Sequence, residues 1–359
     1  MLHSWSKKFN SPSRIFSSFI RAGLYQQHYL DFRIICLLGL LLLPAGRTLS
    51  QQMMQSFISA GTDEKNAGTL TINVNEVDLV FTVSDKHHGW VTNLSEDELQ
   101  LRDNGEPPES VRLFQSRKGL PLRLGLLIDT SDSVVSQFGF EKESAALFIK
   151  QMLDPAKDMA FVLGFNHEPM LRQDFTADRE ALASAVYKLH LAGSTAVYDA
   201  VEVGCRKMVE HDVQGPSRRV LVLLTDGEDN SSHLEPDQLI EDALRCNVTV
   251  IVLHTDPRPN EATPQYKVLK RLTSETGGRI FPAGDKKQMT KAFAQLSEQL
   301  RNYYFLAYHP AQFKLDGRYH KVELKTTRRK AHIICRRGYY AKGDPESAYP
   351  AAFAPLLSH

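Results

Sequence analysis

A run of apolar residues that stops at a carboxylate constrains this chain more than any other feature: Leu124-Gly-Leu-Leu-Ile-Asp-Thr-Ser-Asp-Ser133. It reads as a buried strand ending at Asp129, after which Asp129, Ser131 and Ser133 occupy alternate positions. In extended backbone, alternate side chains point to the same side. The end of the strand therefore offers one carboxylate and two hydroxyls together, an all-oxygen set suited to a hard divalent cation such as Mg²⁺. Asp and Ser also follow strands as plain turn formers and helix N-caps, so the segments downstream have to decide.

Two do. Gly193-Ser194-Thr195-Ala-Val-Tyr-Asp199 opens a helical pattern, with Thr195 expected at the start of a helix over 195–211. Arg219-Val-Leu-Val-Leu-Leu-Thr-Asp-Gly-Glu-Asp229 is a second apolar strand, ending in Thr225-Asp226-Gly227. Near-continuous apolar strands are those of a parallel sheet covered on both faces, and in such sheets ligands gather beyond the carboxyl ends of the strands. Asp129, Thr195 and Asp226 would then converge on one edge.

The wider pattern agrees. Between 119 and 302, expected strands at 122–129, 159–165, 220–225, 248–254 and 278–281 alternate with helices at 138–153, 178–189, 195–211, 236–245, 265–276 and 285–303. Alternation of this kind predicts a doubly wound, mostly parallel α/β sheet with helices on both faces, a Rossmann-like arrangement. Asp178 and Asp285 suit N-caps, and Pro236 suits a first helical turn. On either side the chain reads as β: strands at 70–74, 77–83 and 99–102 with a hairpin turn at Asn104-Gly105, then 304–308, 319–326 and 332–335 with a turn at Asp316-Gly317. These flanks, 70–118 and 303–342, are expected to pair into one small β-rich domain, with a tail at 343–359.

The motifs resemble the von Willebrand factor type A (VWA) domain and its metal-ion-dependent adhesion site. That family carries Asp-x-Ser-x-Ser, a Thr in a Gly-x-Thr turn and an Asp in Thr-Asp-Gly; here Asp129, Ser131, Ser133, Thr195 and Asp226 fill the five positions. Asp132 departs from the pattern, which most often has Gly there, adding a negative charge between ligands. Val77-Asp-Leu-Val-Phe-Thr-Val-Ser-Asp85, Leu94-Ser-Glu-Asp-Glu-Leu-Gln-Leu-Arg-Asp-Asn-Gly-Glu106 and Arg337-Gly-Tyr-Tyr340 resemble the less specific flanks of a bacterial VWA-related group known mostly from acidobacteria. The resemblance covers roughly residues 70–342. It implies that hydroxyls coordinate Mg²⁺ directly (Mn²⁺ or Ca²⁺ being the alternatives) while carboxylates act through water. The ion stays electrophilic, and a Glu or Asp of a protein partner completes its octahedron.

Neighbouring residues read more plainly. Thr130 and Thr225 suit backbone hydrogen bonding; Glu228, Asp229 and Asn230 suit a solvated loop; Asp199 suits a helix start or support of the site. His167, His190, His233 and His254 show no ligand spacing, with His233 alone near the mouth. The basic cluster 327–332 with Arg336-Arg337 is read as a solvated hairpin rather than an anion-binding surface.

At 359 residues and 42% hydrophobic, the chain can bury one large core and a smaller one. A net charge of +1, from 43 basic and 42 acidic residues, gives no global bias toward nucleic acid. Residues 1–46 follow the grammar of a secretory signal: Lys7, Lys8, Arg14, Arg21 and Arg33, then an apolar stretch, then small Ala45 and Gly46. The charge-free run 34–46 is short of the roughly 20 residues that span a bilayer. Export to the periplasm or cell exterior is favoured; an uncleaved membrane anchor and a core helix are the alternatives, and 47–69 reads as a linker. Outside the leader, Cys205, Cys246 and Cys335 are odd in number and unpaired in spacing, which argues against a disulfide framework or a zinc site. Gly-x-Ser-x-Gly and His-Glu-x-x-His are absent, which favours a non-enzymatic binding module. A metal-dependent hydrolase and an envelope structural protein with a purely stabilising metal remain as alternatives.

Overall fold

The computed structural model describes residues 76–86, 89–116, 119–211 and 216–341. The leader, the linker, the expected strand at 70–74 and the tail from 343 lie outside the described residues. Thirteen strands run in chain order among them. Strands β1 (Val77–Asp85), β2 (Leu99–Asp103) and β3 (Ser110–Ser116) come first. Strands β4 (Leu122–Asp129), β5 (Met159–Phe165), β6 (Pro169–Thr176), β7 (Arg218–Thr225), β8 (Thr249–His254) and β9 (Ile280–Pro282) follow. Strands β10 (Tyr304–His309), β11 (Tyr319–Thr326), β12 (Ala331–Cys335) and β13 (Gly338–Tyr340) close the chain. The helices are α1 (Phe138–Met152), α2 (Arg179–Tyr187), α3 (Val197–Glu210), α4 (Pro236–Arg245), α5 (Pro264–Thr276) and α6 (Lys286–Arg301).

The central sheet has the order β6-β5-β4-β7-β8-β9, parallel except for β6, which closes one edge antiparallel. The first strand, β4, is fully buried along its length. Leu124, Leu126 and Ile128 face a core shared with α1, α2 and α6, while Leu127 faces a second core shared with α3, α4 and α5. Helices on both faces explain why the strand is apolar at every position. Each such leucine or isoleucine contributes about 1.5–3 kcal/mol by leaving water. Winding runs from β4 toward β5 on one side and from β7 toward β9 on the other. The strand order thus reverses between β4 and β7, whose last paired residues are Ile128 and Leu224. Asp129 and Thr225 end the two strands at that reversal, where open α/β sheets leave a crevice.

Expected helix ends are met where the chemistry is local. The Asp178 carboxylate accepts from the amides of Glu180 and Ala181, Asp285 accepts from Gln288, and Pro236 sits in the first turn of α4. Helix α3, however, begins at Val197, so Thr195 precedes it rather than opening it. Strand β6 was not expected: its exposed edge residues carry no continuous apolar run to mark them.

The flanks form two antiparallel sheets, β12-β1-β10-β3 and β13-β11-β2. Both sheets line one core containing Leu79, Phe81, Leu101, Tyr304, Tyr308 and Val322. Two turns differ from expectation. Asn104-Gly105 does turn the chain, with φ of 49° and 87°, but β2 and β3 enter different sheets instead of pairing as a hairpin. The same is true of β10 and β11 on either side of Asp316-Gly317. A buried carboxylate decides this partition: Asp103 accepts from Tyr308 of one sheet and Tyr339 of the other, at 2.7 and 2.9 Å. Arginines of the basic cluster serve the fold, Arg328 binding Glu98 and Asn93 and Arg336 donating to the carbonyl of Asp78. Among the described residues, no helix is long and apolar enough to cross a membrane.

Strand β4 is tightest at Gly125, where an added Cβ would lie 2.4 Å from the Phe161 ring and 2.5 Å from Leu221. Gly125→Ala is expected to lower the free energy of unfolding by about 1–3 kcal/mol through overpacking. Urea denaturation should show an earlier midpoint with an unchanged slope.

Candidate functional site

Asp129 ends β4 with no exposed surface, so its carboxylate has to be satisfied within the protein. One oxygen accepts from the backbone N–H of Ser131 at 2.9 Å; the other accepts from the Thr225 hydroxyl at 2.7 Å. Thr225 thus supports a carboxylate across the strand pair, while Thr130 donates to the carbonyl of Phe165 at 2.9 Å as expected. After Asp129 the chain passes through extended Ser131 into a short 3₁₀ turn over Asp132–Val134. The hydroxyls of Ser131 and Ser133 lie 3.0 Å apart, Ser131 buried and Ser133 exposed.

Thr195 is held by a loop distant in sequence. Its N–H donates to the Asn230 side chain at 2.9 Å, and its carbonyl accepts from the amides of Asn230 and Ser231, both at 3.0 Å. The same loop caps α3, whose own N-cap position is Ala196 with no side-chain acceptor. Asp229 accepts from Val197 N–H at 2.8 Å, and Ser232 accepts from Tyr198 at 3.0 Å while donating to Asp229 at 2.6 Å. Asp199 binds the amides of His233 and Leu234 and the His233 ring. Residues 229–233 are therefore a brace rather than a freely solvated loop, and sequence reasoning missed it because its partners lie more than 30 positions away. The 192–193 turn is tied on as well, through Ala192 N–H to Thr130 and Asp132 N–H to Gly193.

Asp226 is half-buried and follows Thr225 directly. Gly227 next to it has φ +88°, and an added Cβ would meet the His254 ring at 2.9 Å. Only glycine releases the chain there without strain. Asp226 and Ser133 line a cleft of about 780 Å³ with His254, Thr255, Asp256 and Tyr266. His254, read from sequence as an ordinary strand-end residue, belongs to this wall, and burial holds its pKa below the usual imidazole value.

Burial disfavours the charged forms of the carboxyl groups here. Burial pushes the Asp129 pKa up to about 6, against the hydrogen bonds from Ser131 and Thr225, with the charge of Asp226 adding to the rise. Glu141, on the buried face of α1, is pushed up to about 8 by burial first and then by the charges of Asp129 and Asp226, with Thr255 opposing. Sequence reasoning missed Glu141. The available signal was a lone carboxylate on the apolar stripe of Phe138, Ala145, Phe148 and Ile149.

Residues 124–295 match the model of the von Willebrand factor type A domain. The chain carries a VWA domain. No curated protein matches the chain in sequence. Among solved structures it is similar to a von Willebrand factor type A protein from Catenulispora acidiphila. Identity there is 13%, over 76% of this chain and 74% of that one, with a TM-score of 0.44. It is also similar to the conserved hypothetical protein BatB from Bacteroides thetaiotaomicron, at 16% identity over 50% and 98% of the chains and a TM-score of 0.40. A third is the pilus adhesin SpaC from Lactobacillus rhamnosus GG, at 10% identity over 72% and 49% and a TM-score of 0.41.

Two measurements probe the VWA edge. Raised carboxyl pKa values add stability that is full below the ordinary value of about 4 and is lost as pH climbs through the folded values. In chelator, the melting temperature of Asp129→Asn should therefore gain on wild type as pH rises through about 6. Asp229→Ala should cost about 1 kcal/mol through the lost cap and speed amide exchange at Val197 and Tyr198.

Proposed function

We propose that the VWA domain is an exported, non-catalytic module that holds an acidic side chain of a protein partner through a divalent cation. The residues of this chain that would bind the ion are Asp129, Ser131, Ser133, Thr195 and Asp226. The observation that carries the reading is the paired hydroxyls of Ser131 and Ser133, 3.0 Å apart, beside a fully buried Asp129 at the strand-order reversal. Three of the five side chains, Asp129, Ser131 and Thr195, are buried, whereas Ser133 is exposed and Asp226 half-buried at the cleft. Such a set is closed on the protein side and open on the other.

The donor chemistry fits a hard cation. The set is all oxygen, and the carboxylate pKa values are raised by burial and by neighbouring negative charge, a cost that a divalent ion would offset. Among the described residues no three His, Cys, Asp or Glu side chains gather as a metal cluster, so hydroxyls have to supply much of the coordination. Mg²⁺ suits this best, because it keeps waters and is held by few carboxylates. When bound, the ion supplies a Lewis-acidic position for a partner's Glu or Asp. The chain's residues do the rest: Thr225 fixes the Asp129 carboxylate, and the 229–232 brace fixes Thr195. Export rests on the sequence grammar of residues 1–46.

The test is Mg²⁺ titration of wild type and the Asp129→Ala, Ser131→Ala double variant, with affinity capture from envelope extracts. At a hundredfold excess over Kd, Mg²⁺ should stabilise wild type by about 3 kcal/mol and leave the variant unchanged. Partners retained by wild type should be released by EDTA and missed by the variant. A Mg²⁺-dependent melting shift without any partner would point to a purely stabilising metal. Turnover of phosphoesters, esters or peptides lost in the variant would point to a hydrolase.

A further inference from the structure

Glu141 has no role in the reading so far, yet its environment is the least comfortable of any carboxylate among the described residues that this site involves. It lies on the first turns of α1, on the stripe that buries Phe138, Ala145, Phe148 and Ile149. None of its surface is exposed, and neither carboxylate oxygen has a hydrogen-bond partner of ordinary geometry. The Thr255 hydroxyl, also buried, has none either. Burying an unpaired ionised carboxylate costs several kcal/mol, and an apolar residue of similar volume would pack the same space without that cost. Packing therefore does not account for a glutamate here. The charges that reach it are those of Asp129 and Asp226, two of the five residues assigned to the cation.

We propose that Glu141 is a buried charge partner behind the cation site, outside its ligand set, that tightens retention of the divalent ion. The proposal rests on the reading of the five-residue site above and adds to it a residue outside the motif. Its position on α1, in the protein interior, leaves the open side of the site, toward the Ser133 and Asp226 cleft, free for a partner's carboxylate. The added negative charge strengthens attraction to a doubly charged ion more than to a singly charged one, so Glu141 also favours divalent over monovalent cations. Thr255 stands where a hydroxyl can orient the carboxylate once it is ionised.

The experiment uses Mn²⁺ as the probe, with binding to the full chain read by electron paramagnetic resonance of the free ion. The variants are Glu141→Gln, Glu141→Met and Ser131→Ala, with melting in EDTA at neutral pH as a second readout. Glu141→Gln and Glu141→Met should bind Mn²⁺ about 10–100-fold more weakly, the range seen when residues behind metal ligands are lost. In EDTA both should melt at or above the wild-type temperature, because a buried carboxyl group whose oxygens lack hydrogen-bond partners has been removed. A merely structural glutamate would give the reverse: unchanged Mn²⁺ affinity and a lower melting temperature. If Glu141→Gln binds Mn²⁺ like wild type while Ser131→Ala does not, the proposal fails and the five-residue site stands. If folded wild type takes up no Mn²⁺, the site itself fails. Glu141→Met, being apolar and similar in volume, keeps the test readable if the amide is poorly tolerated in the core.

Discussion

A carboxylate with no exposed surface has to find its donors inside the protein, and Asp129 finds them on the neighbouring strand and in the turn that follows it. Much of the carboxyl edge of the sheet can be traced to that requirement. Thr225 has to end β7 level with Asp129, which the parallel register of β4 and β7 ensures. The chain then has to leave β7 without crowding His254, which requires a glycine at 227 with positive φ. Ser131 gives its N–H to Asp129, and its hydroxyl lies 3.0 Å from that of Ser133. The edge is thus held by hydrogen bonds within the protein, and preorganisation of this kind lowers the cost of binding any ligand.

The second support is the 229–233 brace. Helix α3 lacks a capping side chain of its own and borrows Asp229 and Ser232 from across the edge. Asn230 meanwhile clasps Thr195 by both its backbone groups. The segment after Asp226 and the segment containing Thr195 therefore behave as one piece, although 30 residues separate them.

How much of this could be read from the chain alone depended on the range of the interactions involved. Apolar runs at β4, β7 and β8 announce a covered parallel sheet, since every side chain of a doubly covered strand is buried. Asp178, Asp285 and Pro236 announce helix starts, because capping is settled within a few residues. The neighbouring hydroxyls of Ser131 and Ser133 were legible from their spacing, although a 3₁₀ turn over Asp132–Val134 rather than extended backbone brings them together. Long-range partners were not legible. Asp229 looks like a solvated acid until α3 is placed beside it, and Asn104-Gly105 looks like a hairpin until Asp103 is seen bridging Tyr308 and Tyr339 of different sheets. Strand β6 has no apolar signature, since an edge strand takes its stability from the ladder it joins.

The pairing of β3 with β10 has a consequence of its own. Ser116, at the end of β3, sits opposite Tyr304, at the start of β10, so the chain departs for the α/β sheet and returns from it at neighbouring points. Cross-strand neighbours are only about 5 Å apart. The α/β part is thus a cassette mounted on a two-strand stem, and the β sandwich keeps its connectivity whatever is carried there. Lineages could exchange, enlarge or delete the carried part while needing only a short loop to close the stem, a step whose entropic cost grows slowly with length.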